Sequence, residues 1–341
     1  MLPSLSCGPN GRRPDETMTL PNVSSLPVTP VAASNHPVAE AATRQAIERE
    51  VSGQRGRTWT VRTLTDLADY ASHPCAILAG QQEDGGTLEI FAKLDTAANA
   101  REHFSIELNG LQLLSERSGV RTPKPVGTGI LRTEAGVVLL TESFQAVERG
   151  PAQWRDIGRA LAMIHSVRGA RFGLDTDGTF GPLFQDNRPA SNETWAAFYG
   201  ERRVWPRLVD ATTAGQLPVA VARRVERLIE RLPDLCGPEV APTLLHGDAQ
   251  QNNFVSTAEG AVVIDAAVYY GHPEMDLALM DYFQDASPER LDGYRELHAV
   301  DDGFVARRSL WRIHVYLAVI TDAIAAPAFV PRLTAALDEF L

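Results

Sequence analysis

The stretch LLHGDAQQNNFVSTAEGAVVIDAAVYYGHPEMDLA, residues 244–278, decides the fold. Within it Asp248 follows a His-Gly pair, Asn253 comes five residues later, and Asp265 closes a short apolar run. In phosphoryl transfer one carboxylate orients the attacking hydroxyl, while a carboxamide and a second carboxylate hold Mg²⁺ against the phosphates of ATP. The spacing therefore predicts Asp248 as the base and Asn253 with Asp265 as metal ligands. A loop rich in Asn, Asp and Gly would account for the first part of the pattern, but not for a second aspartate after a strand.

Three further segments carry a resemblance to a known family. They are VIDAAVYYGHPEMDLALMDYF (residues 263–283), RFGLDTDGTFGP (171–182) and FYGERRVWPRL (198–208). With the Asp248 motif they resemble the fructosamine kinases, which belong to the aminoglycoside phosphotransferase branch of the protein-kinase-like fold. The resemblance covers about Phe91 to at least Phe283 and implies an ATP-dependent kinase of small molecules.

Hydrophobic periodicity predicts an α+β protein of two lobes, a small β-rich amino-terminal lobe and a larger helical carboxy-terminal lobe. Helical spacing of apolar residues dominates from Ala152 onward. We expect the first lobe, which binds nucleotide, to cover residues 39–145, and the second, which is catalytic and binds substrate, to cover 146–341. Strands of the first lobe are predicted over residues 59–64, 76–79, 88–94 and 136–141.

The first 38 residues are dense in Pro, Ser, Asn and Thr and show neither a helical nor a strand period. Such a segment buries too little apolar area to offset the entropy of ordering it. We therefore expect residues 1–38 to be a disordered and dispensable tail, with an amphipathic helix following over residues 39–51.

A lysine and a glutamate in the first lobe are expected to bind the nucleotide together. Lys93 lies on the strand of residues 88–94, where a kinase lysine reaches the α- and β-phosphates. Glu107 lies on the amphipathic helix that follows, and such a glutamate fixes the lysine in kinases. A lone strand lysine is more often a solvated residue, but the downstream aspartates favour the functional interpretation.

Two other segments are expected to touch the nucleotide. Backbone groups of Glu142 and Phe144, at the junction of the lobes, are predicted to read adenine. The loop TDLADYASHP, residues 65–74, should cover the phosphates, yet it contains no glycine, the residue that lets backbone N–H groups approach phosphate. Ser72 and His73 could donate to phosphate instead, and a plain turn before Pro74 is an equal alternative.

Several polar residues near the motif have structural explanations. His165 is expected to be a structural histidine beside the catalytic loop. Asp276, at the start of a helix, is expected to anchor that loop rather than to bind a ligand. Arg202 and Arg203 could contact substrate or only an acidic side chain, and the sequence does not separate these alternatives.

Composition excludes several classes of function. A net charge of −11 over 341 residues argues against non-specific binding to nucleic acid or to anionic membranes. The longest apolar runs are far shorter than a bilayer span. Cys7, Cys75 and Cys236 are too far apart in sequence to suggest a disulfide framework or a zinc site. These features predict a cytoplasmic enzyme, and they leave its oligomeric state open.

The acceptor is predicted from the resemblance and from one departure within the catalytic loop. The resemblance implies a fructosamine, or ketosamine, hydroxyl as the acceptor. The family usually reads His-Gly-Asp-Leu-Trp-x-Gly-Asn in this loop, whereas residues 249–252 here are Ala-Gln-Gln-Asn. A tryptophan offers an apolar face to the sugar, while Gln250 offers hydrogen bonds, so a shift in substrate is expected.

Two alternative functions remain open. An aminoglycoside or other amino-sugar phosphotransferase would use the same chemistry on another acceptor. A pseudokinase acting as a binding module would explain the glycine-free loop. The second alternative is opposed by the presence of Asp248, Asn253 and Asp265, because decayed kinases typically lose at least one of these groups.

Overall fold

Alternating apolar side chains build the amino-terminal lobe as an antiparallel sheet. A computed structural model describes residues 26–71, 73–282 and 285–341. Its main sheet has six strands in the order β1-β2-β3-β4-β6-β5. The strands are β1 Val28–Pro30, β2 Trp59–Asp66, β3 Cys75–Gln82, β4 Thr87–Asp95, β5 Pro125–Arg132 and β6 Val137–Glu142. Helices α1 (Ala41–Arg55) and α2 (Ala100–Ser118) pack beside this sheet.

The core of this lobe depends on a close contact between a tryptophan and a glycine. Trp59 is buried, and its ring lies against Gly80 of the neighbouring strand β3. A Cβ at Gly80 would lie 2.1 Å from the ring, so only glycine fits there. The Trp59 indole N–H donates to Leu88 O over 3.2 Å, which ties β2 across to β4. The four predicted strands are confirmed: the first three are longer than predicted, by up to three residues at one end, and the fourth, Val137–Glu142, is shifted by one residue.

The prediction of an unpacked tail is wrong for the part of it that is described. Strand β1 pairs with β2, and two short 3₁₀ turns follow, Val31–Ala33 and Pro37–Ala39. Val31 and Val38 are buried in the core of the lobe. Residues 1–25 lie outside the described part of the chain. Order in this segment comes from contacts with the sheet, which leave no periodic pattern in the sequence.

A truncation tests whether this segment stabilises the lobe. A chain starting at Glu40 loses β1 and the two buried valines, each worth about 1.5–3 kcal/mol on burial, so its free energy of unfolding should fall by about 3 kcal/mol or more. The control is a chain starting at Leu26, which keeps both. Urea unfolding of the two chains measures the difference, and equal stabilities would show that residues 26–39 contribute no packing.

The carboxy-terminal lobe is mainly helical. Its helices are α3 Pro151–His165, α4 Trp195–Tyr199, α5 Trp205–Thr213, α6 Val219–Leu235, α7 Glu274–Leu279, α8 Glu289–Arg295, α9 Phe304–Ile320 and α10 Ala326–Asp338. A π-helical turn, Gly200–Val204, joins α4 to α5. Three two-stranded sheets complete it, pairing β7 (Gly178–Phe180) with β8 (Leu183–Gln185), β9 (Thr243–Leu245) with β12 (Tyr269–Gly271) and β10 (Phe254–Thr257) with β11 (Gly260–Val263). Within the described ranges, no helix has the length and apolar character to cross a bilayer.

Two glycines allow helices α3 and α8 to cross closely. A Cβ at Gly158 would lie 1.8 Å from Arg290 O, and one at Gly293 would lie 2.0 Å from Arg155 O. Side chains larger than hydrogen would therefore force the helices apart. The close crossing places Tyr294 of α8 against the end of α3, beside the catalytic loop.

Helix α9 runs through the centre of this lobe and carries a buried histidine. His314 packs against the rings of Phe180 and Tyr199, and its Nδ1–H donates to Trp311 O over 2.9 Å. Burial, with a smaller contribution from the charge of Arg203, lowers the pKa of His314 to about 3. The ring is therefore neutral in the folded protein at neutral pH.

The neutral state of His314 predicts an acid-sensitive stability. Its pKa is lower in the folded than in the unfolded chain, so its contribution is full above about pH 6.5 and is lost as the pH falls. Between pH 7.5 and pH 5 the loss should be about 2 kcal/mol. Urea unfolding at both pH values should show a smaller difference for His314→Leu than for the wild type. An equal difference would mean that the ring is not held neutral.

Candidate active site

The catalytic loop, residues 246–253, is hydrogen-bonded to the segment around Asp265, through residues on both sides of that aspartate. Ile264 N–H donates to Asn253 O over 3.0 Å, and Ala267 N–H donates to His246 O over 2.8 Å. The buried His246 ring donates from Nε2 to Ile264 O (3.0 Å) and accepts at Nδ1 from the Asp248 N–H (3.2 Å). Burial lowers the pKa of His246, in keeping with this neutral form. The loop and the strand that the sequence placed together are therefore adjacent.

Asp248 lies in a partly buried position with two amide donors on one carboxylate oxygen. Gln250 Nε2 donates to Asp248 Oδ2 over 3.1 Å, and Asn253 Nδ2 donates to the same atom over 3.0 Å. Burial raises the pKa of Asp248 to about 7, with the charge of Asp265 adding to the shift and the Gln250 hydrogen bond opposing it. A carboxylate with a pKa near neutrality suits proton transfer at physiological pH.

Lys93 bridges the two lobes. Its Nζ donates to Glu107 Oε2 over 3.0 Å and to Asp265 Oδ1 over 2.7 Å, and the residue is only 9% exposed. The predicted Lys–Glu pair is thus present as a contact, and Asp265 shares the same ammonium. One buried cation between two carboxylates therefore joins strand β4, helix α2 and the segment that follows β11.

The two carboxylates around Lys93 differ in protonation. Desolvation in the cleft opposes the charge on Asp265, but the charge of Lys93 together with hydrogen bonds from Glu107 and Lys93 lowers the pKa of Asp265 to about 2. Burial raises the pKa of Glu107 to about 7. The charge of Lys93 opposes this rise, and the charge of Asp265 adds to it. The Asp265 side chain is 44% exposed. It is therefore the charged oxygen ligand that the cleft presents.

The backbone at Asp265 is unusual. Its φ is +51°, and it alone has a positive φ among the non-glycine residues that the structure describes. This left-handed conformation is costly for a residue with a Cβ and is typical of functional sites. It reverses the chain directly after β11 and aims the carboxylate at Lys93.

Asp276 anchors the catalytic loop. Its buried carboxylate accepts the N–H of His246 (2.7 Å) and that of Gly247 (2.9 Å), while His165 Nε2 lies 3.1 Å from Oδ2. Gly247 has φ +82°, and a Cβ there would meet Ala267 O at 1.9 Å. The Tyr294 hydroxyl lies 2.8 Å from His165 Nδ1. These contacts are the structural ones expected for His165 and Asp276.

Glu142 is partly committed within the sheet. Its N–H donates to Lys124 O over 2.9 Å, and its carboxylate accepts the Lys124 N–H over 3.1 Å. That N–H is not available to adenine, and the carbonyl oxygen, which accepts from the Thr141 hydroxyl over 3.3 Å, has one lone pair left for the predicted role. Phe144 lies two residues further, half-buried, with the Arg121 guanidinium 5.7 Å from its ring centre.

The glycine-free loop brings its histidine to the same cleft. His73 Nε2 lies 3.5 Å from Asp95 Oδ2, and its ring packs against Phe104. Burial lowers the pKa of His73, and the charge of Lys93 lowers it further. Ser72 lies outside the described residues. The loop therefore approaches the lysine, and its contact with phosphate stays a prediction.

The two arginines that the sequence left open both contact protein groups. Arg203 is buried against the ring of Tyr269, with Cζ 3.9 Å from its centre, and donates to Asn187 Oδ1 over 2.7 Å. Arg202 pairs with Asp186 over 3.2 Å. Both are framework residues of the lobe.

Sequence reasoning missed two partners of the site. It treated Gln250 as a group facing the sugar and did not foresee its bond to Asp248; the only signal was its position two residues after the aspartate. It also did not foresee the contact of Tyr294 with His165, which has no sequence signal because 129 residues separate the two.

The fold and this cleft define a small-molecule kinase of the protein-kinase-like superfamily, and comparisons with known proteins agree. The family model described as fructosamine kinase matches residues 43–323, so the chain belongs to the fructosamine kinase family. This is a family of ATP-using phosphotransferases whose substrates are small sugar amines. The prediction made from the sequence motifs is thereby confirmed at the level of family, fold and enzyme class.

Individual relatives show the extent of the similarity. A probable ketoamine kinase from Synechocystis sp. is 29% identical over 286 residues, which cover 82% of this chain and 90% of the relative. One from Pasteurella multocida is 27% identical over 277 residues, covering 80% and 90%. The crystal structure of a candidate fructosamine-3-kinase from Thermobifida fusca has a TM-score of 0.70 at 29% identity, with 86% of this chain and 99% of that one covered.

A more distant structure shares the fold alone. The macrolide 2'-phosphotransferase of Brachybacterium faecium has a TM-score of 0.51 at 16% identity, over 83% of this chain and 96% of its own. The similarity over most of both chains shows that the two-lobed fold of this protein also occurs in an antibiotic phosphotransferase.

The bridge at Lys93 predicts unequal effects of two substitutions. Lys93→Ala removes the cation, so KM for ATP should rise at least tenfold, about 1.4 kcal/mol. Glu107→Gln keeps the ammonium and still offers it an amide oxygen in place of Glu107 Oε2, so it should raise KM by less. Steady-state kinetics with varied ATP, at matched melting temperatures, measure both. A larger effect of Glu107→Gln at equal stability would show that the glutamate has a role other than holding the lysine.

Proposed function

We propose that this protein transfers the γ-phosphoryl group of Mg·ATP to a hydroxyl of a ketosamine, with Asp248 as the base. The observation that carries the proposal is the convergence of Lys93, Asp265, Asp248 and Asn253 at one cleft between the lobes. Each of the four side chains has the chemistry and the neighbour that phosphoryl transfer requires. Membership of the fructosamine kinase family supports the same reaction.

Asp248 would orient the acceptor hydroxyl and accept its proton. Its Oδ2 already accepts two amide hydrogen bonds, which leaves Oδ1 for the hydroxyl. Burial, aided by the nearby charge of Asp265, keeps the pKa of Asp248 near 7, so the group can take up a proton as transfer proceeds. The carboxamides of Gln250 and Asn253 hold the carboxylate in place during that step.

Asn253 and Asp265 fit a magnesium site. The Asn253 amide nitrogen faces Asp248, so its oxygen points away from that carboxylate, and Asp265 offers a charged and partly exposed oxygen. Oxygen donors of this kind, completed by substrate phosphates, are what Mg²⁺ prefers. Within the described ranges, no three His, Cys, Asp or Glu side chains form a metal site of their own. The metal would neutralise phosphate charge during transfer.

Lys93 would bind the α- and β-phosphates, and the hinge, which is the segment of residues 142–146 at the junction of the lobes, would bind adenine. The ammonium is held by Glu107 on one side, so an ATP phosphate can replace Asp265 on the other without releasing the lysine. Phe144 would supply a backbone group for adenine, and Glu142 its carbonyl oxygen. We also propose a cytoplasmic location, because the proposed reaction uses ATP and because the buried thiols of Cys75 and Cys236 are free.

Family membership favours a ketosamine acceptor over the alternatives. Residues 249–252 of the catalytic loop, which depart from the family's usual sequence, favour a different preference among ketosamines. Gln250 offers amide hydrogen bonds beside Asp248, so an acceptor with additional hydroxyl or amino groups would suit this pocket. An aminoglycoside would also present such groups. A pseudokinase is opposed by the complete set of four site residues and their mutual contacts.

Substituting Asp248, the proposed catalytic base, tests the proposal. Asp248→Asn should abolish phosphate transfer to a fructosamine-bearing amino acid, while Mg·ATP affinity should stay within about twofold of wild type, because Asp248 contacts the nucleophile and not the phosphates. Calorimetry measures affinity, and mass spectrometry of the acceptor measures transfer. The control is Asp292→Asn, an exposed aspartate on α8, which should transfer as wild type does.

Three outcomes separate the candidate functions. Transfer to the ketosamine that is lost in Asp248→Asn supports the proposal. Transfer only to aminoglycosides would replace the acceptor and keep the mechanism. If wild type binds Mg·ATP but transfers to neither class of acceptor, the ketosamine assignment falls.

A further inference from the structure

A small cavity lies beside the hinge, at the outer end of the cleft. Its walls are Val28 from β1, Thr65 and Ile77 from β2 and β3, Glu89 from β4, and Phe144 with its two following residues. Glu89 Oε2 accepts from Gln145 Nε2 over 3.4 Å, which joins β4 to the hinge. The cavity is therefore lined by one residue from each of four strands and by residues 144–146 of the hinge.

Three of these residues, Val28, Thr65 and Ile77, belong to one row of opposed side chains across the sheet, and the row continues to Phe91. Val28 pairs with Thr65, Thr65 with Ile77, and Ile77 with Phe91. Directly opposed residues of antiparallel strands point to the same face, so these four side chains share a face. Lys93 follows Phe91 by two residues and lies on that face as well.

The spacing along β4 matches a nucleotide lying across the row. Glu89 and Lys93 are four residues apart on one strand, a separation of about 13 Å at about 3.3 Å per residue. The base would lie at the Glu89 end against the hinge, and the phosphates at the Lys93 end. Val28 is then above the base or ribose, at the rim of the site.

Two features of Val28 bear on this binding mode. It is 62% exposed, an apolar side chain left open to solvent at the rim of a cleft. It also precedes the region that the family model matches, which begins at residue 43. The strand that carries it is thus an addition to the matched region, and it extends the roof of the cleft by one strand beyond Thr65.

We propose that Val28 is a nucleotide-binding residue, whose side chain packs on the adenosine part of ATP and completes the roof of the site. This inference rests on the proposed function, since it takes ATP to bind along the face that carries Lys93. Thr65 is the side chain next to Val28 in the row, and it is small and polar. The added strand supplies the apolar contact that Thr65 does not.

Two substitutions of Val28 and one neighbour test the inference. Val28→Ala should weaken Mg·ATP binding about fivefold, the effect of one or two methyl groups losing an apolar contact. Val28→Asp should weaken it more, because it places a charge against the base. Thr29→Ala is the control, since Thr29 lies on the same strand but points to the opposite face, beside Leu64. The Kd for Mg·ATP, KM for ATP and KM for the acceptor are measured with the melting temperature of each full-length variant.

The expected result is a higher Kd and KM for ATP in both Val28 variants, with acceptor KM and melting temperature unchanged. Wild-type ATP affinity in both variants would overturn the inference. An equal loss in Thr29→Ala would also overturn it, because the strand would then act only through pairing.

The readout by Kd keeps this test distinct from the test of the proposed function. If wild type binds Mg·ATP without phosphorylating a ketosamine, the acceptor assignment falls, while Val28 is still judged by its effect on Kd. If wild type does not bind Mg·ATP, both the proposed function and the role of Val28 fall.

Discussion

The buried carboxylate of Asp276 is the interaction on which the site depends. It is fully buried, and a charge in that position is tolerated only when hydrogen bonds satisfy it. The N–H groups of His246 and Gly247 supply two, and the His165 ring supplies a third. Because two of these donors are the backbone just before Asp248, satisfying the buried charge also fixes the catalytic loop.

That anchor explains features far from the cleft. His165 ends helix α3, and its other nitrogen contacts Tyr294 of α8, so two helices hold the ring in place. The helices can approach closely enough because Gly158 and Gly293 lie at their crossing. Packing in the helical lobe thus determines the position of a catalytic carboxylate, through one histidine and one aspartate.

The sequence predicts the local chemistry of this site well and its long-range contacts poorly. The spacing of Asp248, Asn253 and Asp265 is local, set by one loop and one strand, and the structure brings these residues together. Lys93 and Glu107 were predictable because a strand lysine and a helical glutamate have known positions in kinases. The packing of residues 28–38 was not, because it rests on contacts with a distant strand, and a Pro-rich composition pointed the other way. The predicted contact of Glu142 with adenine is likewise restricted by a contact that the sequence does not reveal, because its N–H donates to Lys124 O.

The glycine-free loop remains the departure with the largest consequence for binding. A phosphate loop works by offering unpaired backbone N–H groups. Here Leu67 N–H donates to Cys75 O over 2.9 Å and Ala68 N–H donates to the Asp66 carboxylate over 2.8 Å, so two amides near the start of the loop are already used. On the proposed mode of binding, the affinity for ATP then comes from Lys93, the metal and apolar contact with the adenosine. In that mode the added strand, with Val28 over the adenosine, would compensate for a loop that offers the phosphates little, since both would act on the same bound nucleotide.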